Sequence, residues 1–263
     1  MDTIVAKITN DSLTDKKIYE QAGKILREGG LVAFPTETVY GLGADALDEE
    51  ASAKIYAAKG RPSDNPLIVH IADIEALYKL SCEVPDKALK LADKFWPGPL
   101  TMILKKSDIV PDSITGGLGT VAIRMPSHKV AAELIRTSGV YIAAPSANTS
   151  GKPSPTRASH VIKDLSGKID MIIEDDTVDI GVESTIIDLS EEVPTILRPG
   201  YITKEMFEEV IGVVRIDPAI TEGVKSGVVP KAPGMKYKHY APDEDLKIVE
   251  GDEAKVVEYI NDN

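Results

Sequence analysis

A loop near the start of the sequence combines hydroxyl, carboxylate and phenol side chains within a few residues. It follows a short apolar run, precedes a predicted glycine-rich turn at residues 41–43, and contains Thr36, Glu37, Thr38 and Tyr40. Together with backbone N–H groups, these side chains could bind a small polar ligand. A surface turn built from ordinary turn-forming residues has a similar composition, so this loop alone leaves both interpretations open.

A second group of residues adds positive charge and consists of Lys59, Arg61, Asn65 and His70. A lysine supplies a point charge, and an arginine supplies a planar fork that can bind phosphate in a bidentate manner. A solvated helix C-terminus, where cations are also stabilised, is the alternative. Neither a Walker A sequence nor a Gly-x-Gly-x-x-Gly fingerprint occurs, so these nucleotide-binding loops are not predicted.

Later loops carry further hydroxyl and amide groups. The small residues at 143–148 would let a ligand approach the backbone beside Ser146 and Asn148. We reject Ser184 as a hydrolase nucleophile, because no Gly-x-Ser-x-Gly motif and no Ser–His–Asp arrangement is visible. The four histidines lack metal-ligand spacing and Cys82 is the only cysteine, so neither a metal centre nor an internal disulfide is predicted.

The elements that must position these loops alternate along the chain. Residue periodicity and turn signals predict helices over 18–28, 49–59, 73–80, 86–95, 127–138, 155–165 and 204–211, and strands over 31–34, 67–71, 100–105, 121–124, 141–144, 171–174, 184–189 and 195–197. Gly60 should end the second helix, and Ser154 should cap the helix at 155–165. The alternation predicts an α/β domain over residues 1–216.

Beyond that domain the composition changes. Residues 217–242 are rich in proline and glycine and are predicted to form a linker, whose basic and aromatic run at 236–240 is unusual for a spacer. A strand at 246–249 and a helix at 253–260 should follow, as a terminal flap or the beginning of a C-terminal domain. We expect exposed apolar surface at Leu246, Ile248, Val256, Val257 and Ile260.

Composition excludes several functional classes. The net charge is −12, of which residues 243–263 contribute −6 from eight acidic and two basic side chains. A sequence pI near 4.9 argues against a protein that clamps nucleic acid through a basic face. We expect a cytoplasmic protein, because cysteine usage is low and neither a secretory signal nor an apolar run long enough to span a membrane is present.

The sequence resembles the YrdC-like family and, within it, the two-domain threonylcarbamoyl-AMP synthases. The resemblance covers about residues 16–242 and rests on motifs that occur in the family's order. These motifs lie at residues 35–42 (PTETVYGL), 59–61 (KGR), 65–67 (NPL), 96–101 (WPGPLT), 124–126 (RMP), 145–148 (PSAN), 183–185 (EST), 197–200 (LRPG) and 232–242 (APGMKYKHYAP).

The resemblance implies a fold and a reaction. The fold would be a twisted mixed sheet flanked by helices around a deep basic cavity, followed by a linker and the start of a Rossmann-like domain at 243–263. Family members condense L-threonine, bicarbonate or CO2, and ATP to L-threonylcarbamoyl-AMP and pyrophosphate. The product is used to modify adenosine next to the tRNA anticodon. Such chemistry depends on positioned cations and donors rather than on a protein nucleophile.

The resemblance also implies which residues bind the substrates. Those expected around L-threonine are Thr36, His70, Arg124, Ala144 and Ser184, with Arg124 as the partner of its carboxylate. Those expected around ATP are Lys59, Arg61, Asn65, Thr120, Ser146, Asn148, Ser154, Arg198 and Tyr237. We expect Lys59 and Arg61 to be the catalytic cations at the phosphates, Tyr40 to be part of the pocket wall, and Tyr237 to bring the linker over the cavity as a lid.

The expected partners are L-threonine, ATP, bicarbonate or CO2 and the downstream tRNA threonylcarbamoyl-transfer machinery, with a possible weak tRNA contact and no membrane. Mg²⁺ should arrive with ATP and retain mostly water and phosphate ligands. Two alternatives remain: a carbamoyl-adenylate-forming YrdC-like module, and an RNA-binding module with steep salt dependence. Pyrophosphate release that requires threonine would separate the three functions.

Overall fold

The structure, a computed structural model, describes residues 2–175, 178–222, 232 and 248–262 of the chain. The described helices are α1 (Ser12–Arg27), α2 (Glu49–Lys59), α3 (Glu75–Leu80), α4 (Asp86–Phe95), α5 (Asp112–Thr115), α6 (Lys129–Ser138), α7 (Ala158–Leu165), α8 (Lys204–Ile211), α9 (Ala219–Glu222) and α10 (Glu253–Asp262). The described strands are β1 (Ile4–Lys7), β2 (Val32–Phe34), β3 (Gly41–Asp45), β4 (Ile68–His70), β5 (Leu100–Lys105), β6 (Thr120–Arg124), β7 (Ile142–Ala143), β8 (Met171–Glu174), β9 (Thr185–Asp188), β10 (Thr195–Arg198) and β11 (Arg215–Ile216).

The strands form one mixed sheet in the order β1-β8-β2-β3-β7-β4-β6-β5-β9-β10-β11. Parallel pairs include β4 with β6 and β5 with β9, whereas β2 with β3 and β5 with β6 are antiparallel. Helix α8 joins the parallel strands β10 and β11, as expected because parallel neighbours need a crossover connection. The α/β prediction and the mixed sheet flanked by helices are confirmed.

Each face of the sheet has its own hydrophobic core, because alternate residues of a strand point to opposite faces. Phe34 of β2 packs with Leu26 of α1 and Leu134 of α6. Its neighbour Ala33 points the other way, into the larger core that contains Ile55 of α2. The helices thus hold the sheet from both sides and fix the positions of its strand ends.

The turn predicted at residues 41–43 is wrong, because these glycines begin strand β3. The glycines are required there by close packing rather than by chain reversal. A Cβ atom on Gly43 would lie 2.7 Å from Cγ2 of Ile142 and 2.8 Å from Cε1 of Phe34. The glycines that suggested a turn are therefore present because neighbouring side chains approach this strand closely.

Helix boundaries lie within two residues of expectation except at the starts of α1, which begins at Ser12 rather than at residue 18, and of α7. Gly60 ends α2 as predicted, with a left-handed φ of 62°. Ser154 does not cap α7, which starts at Ala158 after Arg157 and has no side-chain cap. Strands β1, β3 and β11 and the short helices α5 and α9 were not predicted.

Two pairs of strands bring the predicted site residues together. His70 and Arg124 are the last residues of the parallel strands β4 and β6 and lie opposite each other in register. Next to β4, the short strand β7 leads into the segment that contains Ser146, which forms an isolated bridge with Gly41. The candidate site therefore lies where these strands end, as is general for ligand sites on α/β sheets.

The predicted linker and tail are only partly described. Residue Ala232 is fully buried against Ile68, Ala122 and Leu197, on the sheet beside the strand ends. In the tail, residues 248 and 249 are not in a strand and α10 occupies most of the remaining residues.

The apolar surface expected in the tail is present at three of its five positions. Ile248, Val257 and Ile260 are exposed, Val256 is partly buried, and Leu246 lies outside the described residues. None of the helices within the described ranges is long and apolar enough to cross a membrane.

Candidate active site

The strand ends and the adjoining loops enclose a cavity of about 640 Å³, including its opening to solvent. Its wall contains most of the residues predicted from the sequence. The predicted residues in the wall are Thr36, Arg61, His70, Arg124, Ala144, Ser146, Asn148, Ser154, Ser184 and Arg198, together with Tyr40.

Arg124 is buried at the end of β6 and is held by a carboxylate. Its Nη2 donates to Oε1 of Glu37 at 2.6 Å, and both side chains are about 5% exposed. The second carboxylate oxygen of Glu37 accepts from the backbone N–H of Ser127 at 3.2 Å. Since buried charges need a partner, this pair explains how an arginine can sit in the cavity wall without access to bulk water.

His70, opposite Arg124, is held as a neutral imidazole. Burial and the neighbouring Arg124 charge lower the pKa of His70 to about 3. Its Nδ1 lies 3.2 Å from the carbonyl oxygen of Ile68, and its ring meets Phe34 edge to face. At neutral pH this residue offers a hydrogen bond but no charge.

The loop after β2 is closed by its own hydroxyls. The Thr36 hydroxyl donates to the carbonyl of Val39 at 2.6 Å and accepts from the backbone N–H of Thr38 and Val39. Tyr40 is fully buried, and its hydroxyl donates to the carbonyl of Asp175 at 3.0 Å. The loop is therefore a rigid part of the wall.

Ser184 links two further strands to the cavity. Its hydroxyl is 2.7 Å from that of Thr101 on β5, and 3.0 Å from Nη2 of Arg198 at the end of β10. Arg198 also donates to the carbonyl of Ser184 through Nε and Nη2. These contacts agree with the rejection of Ser184 as a nucleophile, since no histidine is among its described hydrogen-bond partners.

Lys59 has a different position from the one its predicted role would suggest. It is only 2% exposed and does not contribute to the cavity wall. Its Nζ donates to the carbonyls of Ser146 and Asn148, the latter at 2.6 Å, and lies 3.3 Å from Oδ1 of Asn148. Burial and the Arg61 charge lower the pKa of Lys59 well below its usual value. In this structure Lys59 shapes the loop that forms the wall.

Arg61 and Asn65 follow α2 and are both buried. Gly60 turns the chain so that Arg61 enters the wall, where its Nη2 donates to the carbonyls of Asn65 and Pro66 at 3.3 and 3.1 Å. The Asn65 amide, 1% exposed, has no hydrogen-bond partner for Oδ1 or Nδ2 among the described residues. Such orphaned polar atoms are uncommon in a buried amide and are available to a ligand or a water.

The segment after β7 folds around Asn148. The Asn148 amide nitrogen donates to the carbonyls of Thr149 and Lys152, and its oxygen accepts from the Ser146 hydroxyl at 2.5 Å. Lys152, at the cavity wall, lies 3.3 Å from the carboxylate of Asp164 on α7. This segment is thus supported by side chains from two helices.

The wall also contains a carboxylate that the sequence prediction did not include. Glu183 accepts a short hydrogen bond from the Ser154 hydroxyl. Lys152 of the wall, and Thr101, which contacts Ser184, were likewise missing from the residues expected around the substrates, whereas Glu37 was predicted as a ligand-binding side chain of its loop and not as the partner of Arg124. Thr101 and Glu183 belong to the motifs quoted above, so their place in a motif was the signal that could have identified them. For Lys152, the signal was its position between Ser150-Gly151 and Pro153.

Three of the described predicted residues, Lys59, Asn65 and Thr120, are not among the residues that line this wall. Thr120 starts β6, paired with Lys105 at the end of the strand opposite to Arg124, and is not among the lining residues. Tyr237 lies outside the described residues. Within the described part of the chain, no group of three or more His, Cys, Asp and Glu side chains could hold a metal ion.

Two family models match the chain. The model described as "Telomere recombination", which takes its name from Sua5, YciO and YrdC, matches residues 24–200. The model described as "Threonylcarbamoyl-AMP synthase, C-terminal domain" matches residues 202–263.

Curated proteins and a solved structure are similar to this chain over nearly its whole length. The chain is 56% identical over 254 residues to the threonylcarbamoyl-AMP synthase of Pyrococcus abyssi, covering 97% of this chain and 74% of that protein. It is 52% identical over 256 residues to the Bacillus subtilis enzyme of the same name, covering 97% and 73%. The crystal structure of P. abyssi Sua5 complexed with L-threonine is 53% identical, with a TM-score of 0.89, covering 100% of this chain and 75% of that one.

Proposed function

We infer that this chain, which belongs to the Sua5/YciO/YrdC family, is an enzyme that forms threonylcarbamoyl-AMP for the threonylcarbamoyladenosine modification of tRNA. Relatives that share more than half of its residues carry this activity in their names. The alternatives, an RNA-binding module and a carbamoyl-adenylate-forming module, are not favoured. The product is a mixed anhydride of a carbamate and AMP, so the enzyme is a transferase of the nucleotidyltransferase type.

The reaction can be written with all atoms balanced. L-threonine, bicarbonate and ATP give L-threonylcarbamoyl-AMP, pyrophosphate and water. The threonine amine forms a bond to the carbon of CO2 and loses a proton, which gives a carbamate. When bicarbonate supplies the carbon, its C–OH bond breaks and this oxygen leaves as the water of the overall equation. A carbamate oxygen then attacks the α-phosphorus, and the bond from this phosphorus to the pyrophosphate oxygen breaks. Negative charge spreads over the phosphate oxygens, where cations are most effective.

The strand ends are suited to the amino acid. We propose that L-threonine binds against Arg124, with its carboxylate on the guanidinium and its remaining groups near Thr36, His70, Ala144 and Ser184. Arg124 supports this role because its Nε has no hydrogen-bond partner among the described residues although it is buried. The complex of P. abyssi Sua5 with L-threonine provides independent support for this substrate.

The loop side is suited to ATP. We propose that the phosphates contact Arg61, Arg198 and the hydroxyls of Ser146 and Ser154, with the orphaned amide of Asn65 accessible after a small rearrangement. Asn148 holds Ser146 in place. Lys59 acts here through the loop that it positions, or directly after it moves. Mg²⁺ enters as part of the ATP complex, since phosphate and water oxygens are its preferred ligands.

We also propose that the linker closes the cavity as a lid. The support is Ala232, which is fully buried on the sheet against Ile68, and Ile68 itself lines the cavity. The described point of the linker, Ala232, therefore lies beside the site. Deletion of residues 231–242 should raise the ATP KM, whereas unchanged ATP affinity would exclude a lid. We further propose that the cavity is deep and basic and that residues 243–263 begin a Rossmann-like unit.

The observation that carries the function is the cavity wall itself, in which ten of the residues expected from the family resemblance meet. The test is pyrophosphate release from ATP and bicarbonate with L-threonine, with L-serine, or with no amino acid. We expect strong dependence on L-threonine and on Mg²⁺. Pyrophosphate release that is independent of the amino acid would contradict the proposed function, as would the absence of both release and threonine binding.

A further inference from the structure

We propose that Glu37 is a positioning residue that orients Arg124 for the carboxylate of the amino-acid substrate. The inference rests on the proposed function, since it assumes that Arg124 binds that carboxylate. It adds a residue that is not in contact with the cavity and therefore does not itself touch the substrate.

The guanidinium of Arg124 is held in one orientation by Glu37. An arginine side chain can rotate about several bonds, so its fork must be fixed if it is to meet a carboxylate in one orientation. Glu37 provides this restraint through the 2.6 Å bond from Nη2 of Arg124 to Oε1. The Nε atom of Arg124 has no partner among the described residues. One edge of the fork is thus occupied and another donor is left for a ligand.

Glu37 is itself restrained by hydrogen bonds to its carboxylate and its backbone. Its Oε2 accepts from the backbone N–H of Ser127, in the segment that leads from β6 to α6. The backbone carbonyl of Glu37 accepts from the backbone N–H of Ile180 at 2.9 Å. The carbonyl of the next residue, Thr38, accepts from the backbone N–H of Gly181. Glu37 is therefore held from two segments, one that contacts its carboxylate and one that contacts the backbone of its loop, and both oppose its movement with Arg124.

Glu37 also acts on Arg124 electrostatically, and this effect and the orienting effect change the L-threonine affinity in opposite directions. Glu37 partly neutralises Arg124, so removal of the Glu37 charge alone would strengthen the attraction between Arg124 and a substrate carboxylate. Loss of the fixed orientation would weaken substrate binding. If binding becomes weaker in Glu37→Gln, the orientation that Glu37 imposes is more important than the charge that it neutralises.

The experiment measures the dissociation constants of L-threonine, L-threoninamide and ATP by calorimetry for the full chain. L-threoninamide retains the amine and the hydroxyl but lacks the carboxylate. The amide in Glu37→Gln has a single acceptor oxygen and cannot accept from both Arg124 and Ser127. We expect L-threonine to bind about tenfold to a hundredfold more weakly, the effect of a lost hydrogen bond to a charged group. The affinities for L-threoninamide and ATP should not change.

The matched control is Glu83→Gln, which removes a carboxylate from an exposed ion pair with Lys105 at 2.8 Å. It should alter none of the three affinities. Glu37→Asp keeps the negative charge but is one methylene shorter, so it cannot reach both Arg124 and Ser127. It should weaken L-threonine binding as well, and it replaces Glu37→Gln if that variant does not fold.

Several results would overturn the proposal. These are L-threonine affinity within twofold of the wild type or tighter, an equal loss for L-threonine and L-threoninamide, or a parallel loss of ATP affinity. If the wild-type chain itself binds no L-threonine, the proposed function fails and this inference fails with it. If the wild-type chain binds L-threonine and the Glu37 variants bind it with the same affinity, the proposed function stands and the role of Glu37 is excluded.

Discussion

The two sides of the cavity are built in different ways. On the strand side, His70 and Arg124 are the adjacent ends of β4 and β6 and are fixed by the register of the sheet. On the loop side, the segment from Ser146 to Lys152 has little regular structure and is held by side chains that reach it from α2 and α7. Position on the strand side follows from backbone hydrogen bonds, whereas position on the loop side depends on single side chains.

This difference has consequences for how substitutions act. A strand-side residue is placed by many bonds, so its replacement should change its own contacts and leave its neighbours in place. A loop-side residue such as Lys59 supports several others, so its replacement should move the wall. Networks of this kind lose more than the sum of their separate bonds when a central member is removed.

The largest effect expected on the strand side is that of Arg124→Met. This change leaves the buried carboxylate of Glu37 without its ion-pair partner, which typically costs about 3–5 kcal/mol of stability. The measurement is the free energy of unfolding from urea titration. The double variant Glu37→Met/Arg124→Met should be less destabilised than the single one, because no buried charge then remains.

The control for this prediction is an ion pair at the surface. Lys105→Met removes the partner of Glu83, in a pair whose side chains are more than half exposed. Its cost should be below about 1 kcal/mol. An equal cost for the two single variants would contradict the assignment of the Arg124 pair as buried and structural.

How far the sequence could predict this site follows from the same comparison. The strands were predictable because apolar runs precede His70 and Arg124, although the strand predicted over 67–71 extends one residue beyond the observed end at His70. The partner of Arg124 was not, since Glu37 lies 87 positions away in the chain and only the fold brings the two together. The role of Lys59 at the phosphates stays a prediction from its motif, whereas the burial of its ammonium against the carbonyls of Ser146 and Asn148 could not be predicted from the sequence.

On the loop side the largest effect should be that of Lys59→Met. The methionine fills a similar volume but leaves the carbonyls of Ser146 and Asn148 without their donor. We expect a loss of about 2–3 kcal/mol in the free energy of unfolding, from two or three hydrogen bonds to a charged group in a buried setting. Pyrophosphate release should fall at least tenfold, as the wall that positions Ser146 is displaced.

Lys54→Met is the matched control on the same helix. Lys54 makes one described hydrogen bond, to the carbonyl of Gly29 at 2.6 Å, and does not line the cavity. It should cost about 1 kcal/mol and leave the catalytic rate unchanged. Loss of activity in Lys59→Met without any loss of stability would instead favour a direct contact between Lys59 and ATP.

The smallest of these effects is the pH dependence that His70 gives to the strand side. In the folded protein the pKa of His70 is about 3, against 6.5 for an unperturbed histidine. Between these two values the unfolded chain binds a proton that the folded chain does not, so stability falls as the pH falls below about 6.5. At pH 5 the loss attributable to this residue should be about 2 kcal/mol.

His70→Gln isolates this contribution, because glutamine can donate a hydrogen bond but does not titrate. The variant should be less stable than the wild type at pH 7 through lost packing, yet its stability should fall less between pH 7 and pH 5, by about 2 kcal/mol. If His70→Gln loses stability with acid as steeply as the wild type, His70 takes up a proton without unfolding, and the strand side is then less rigid than the sheet register implies.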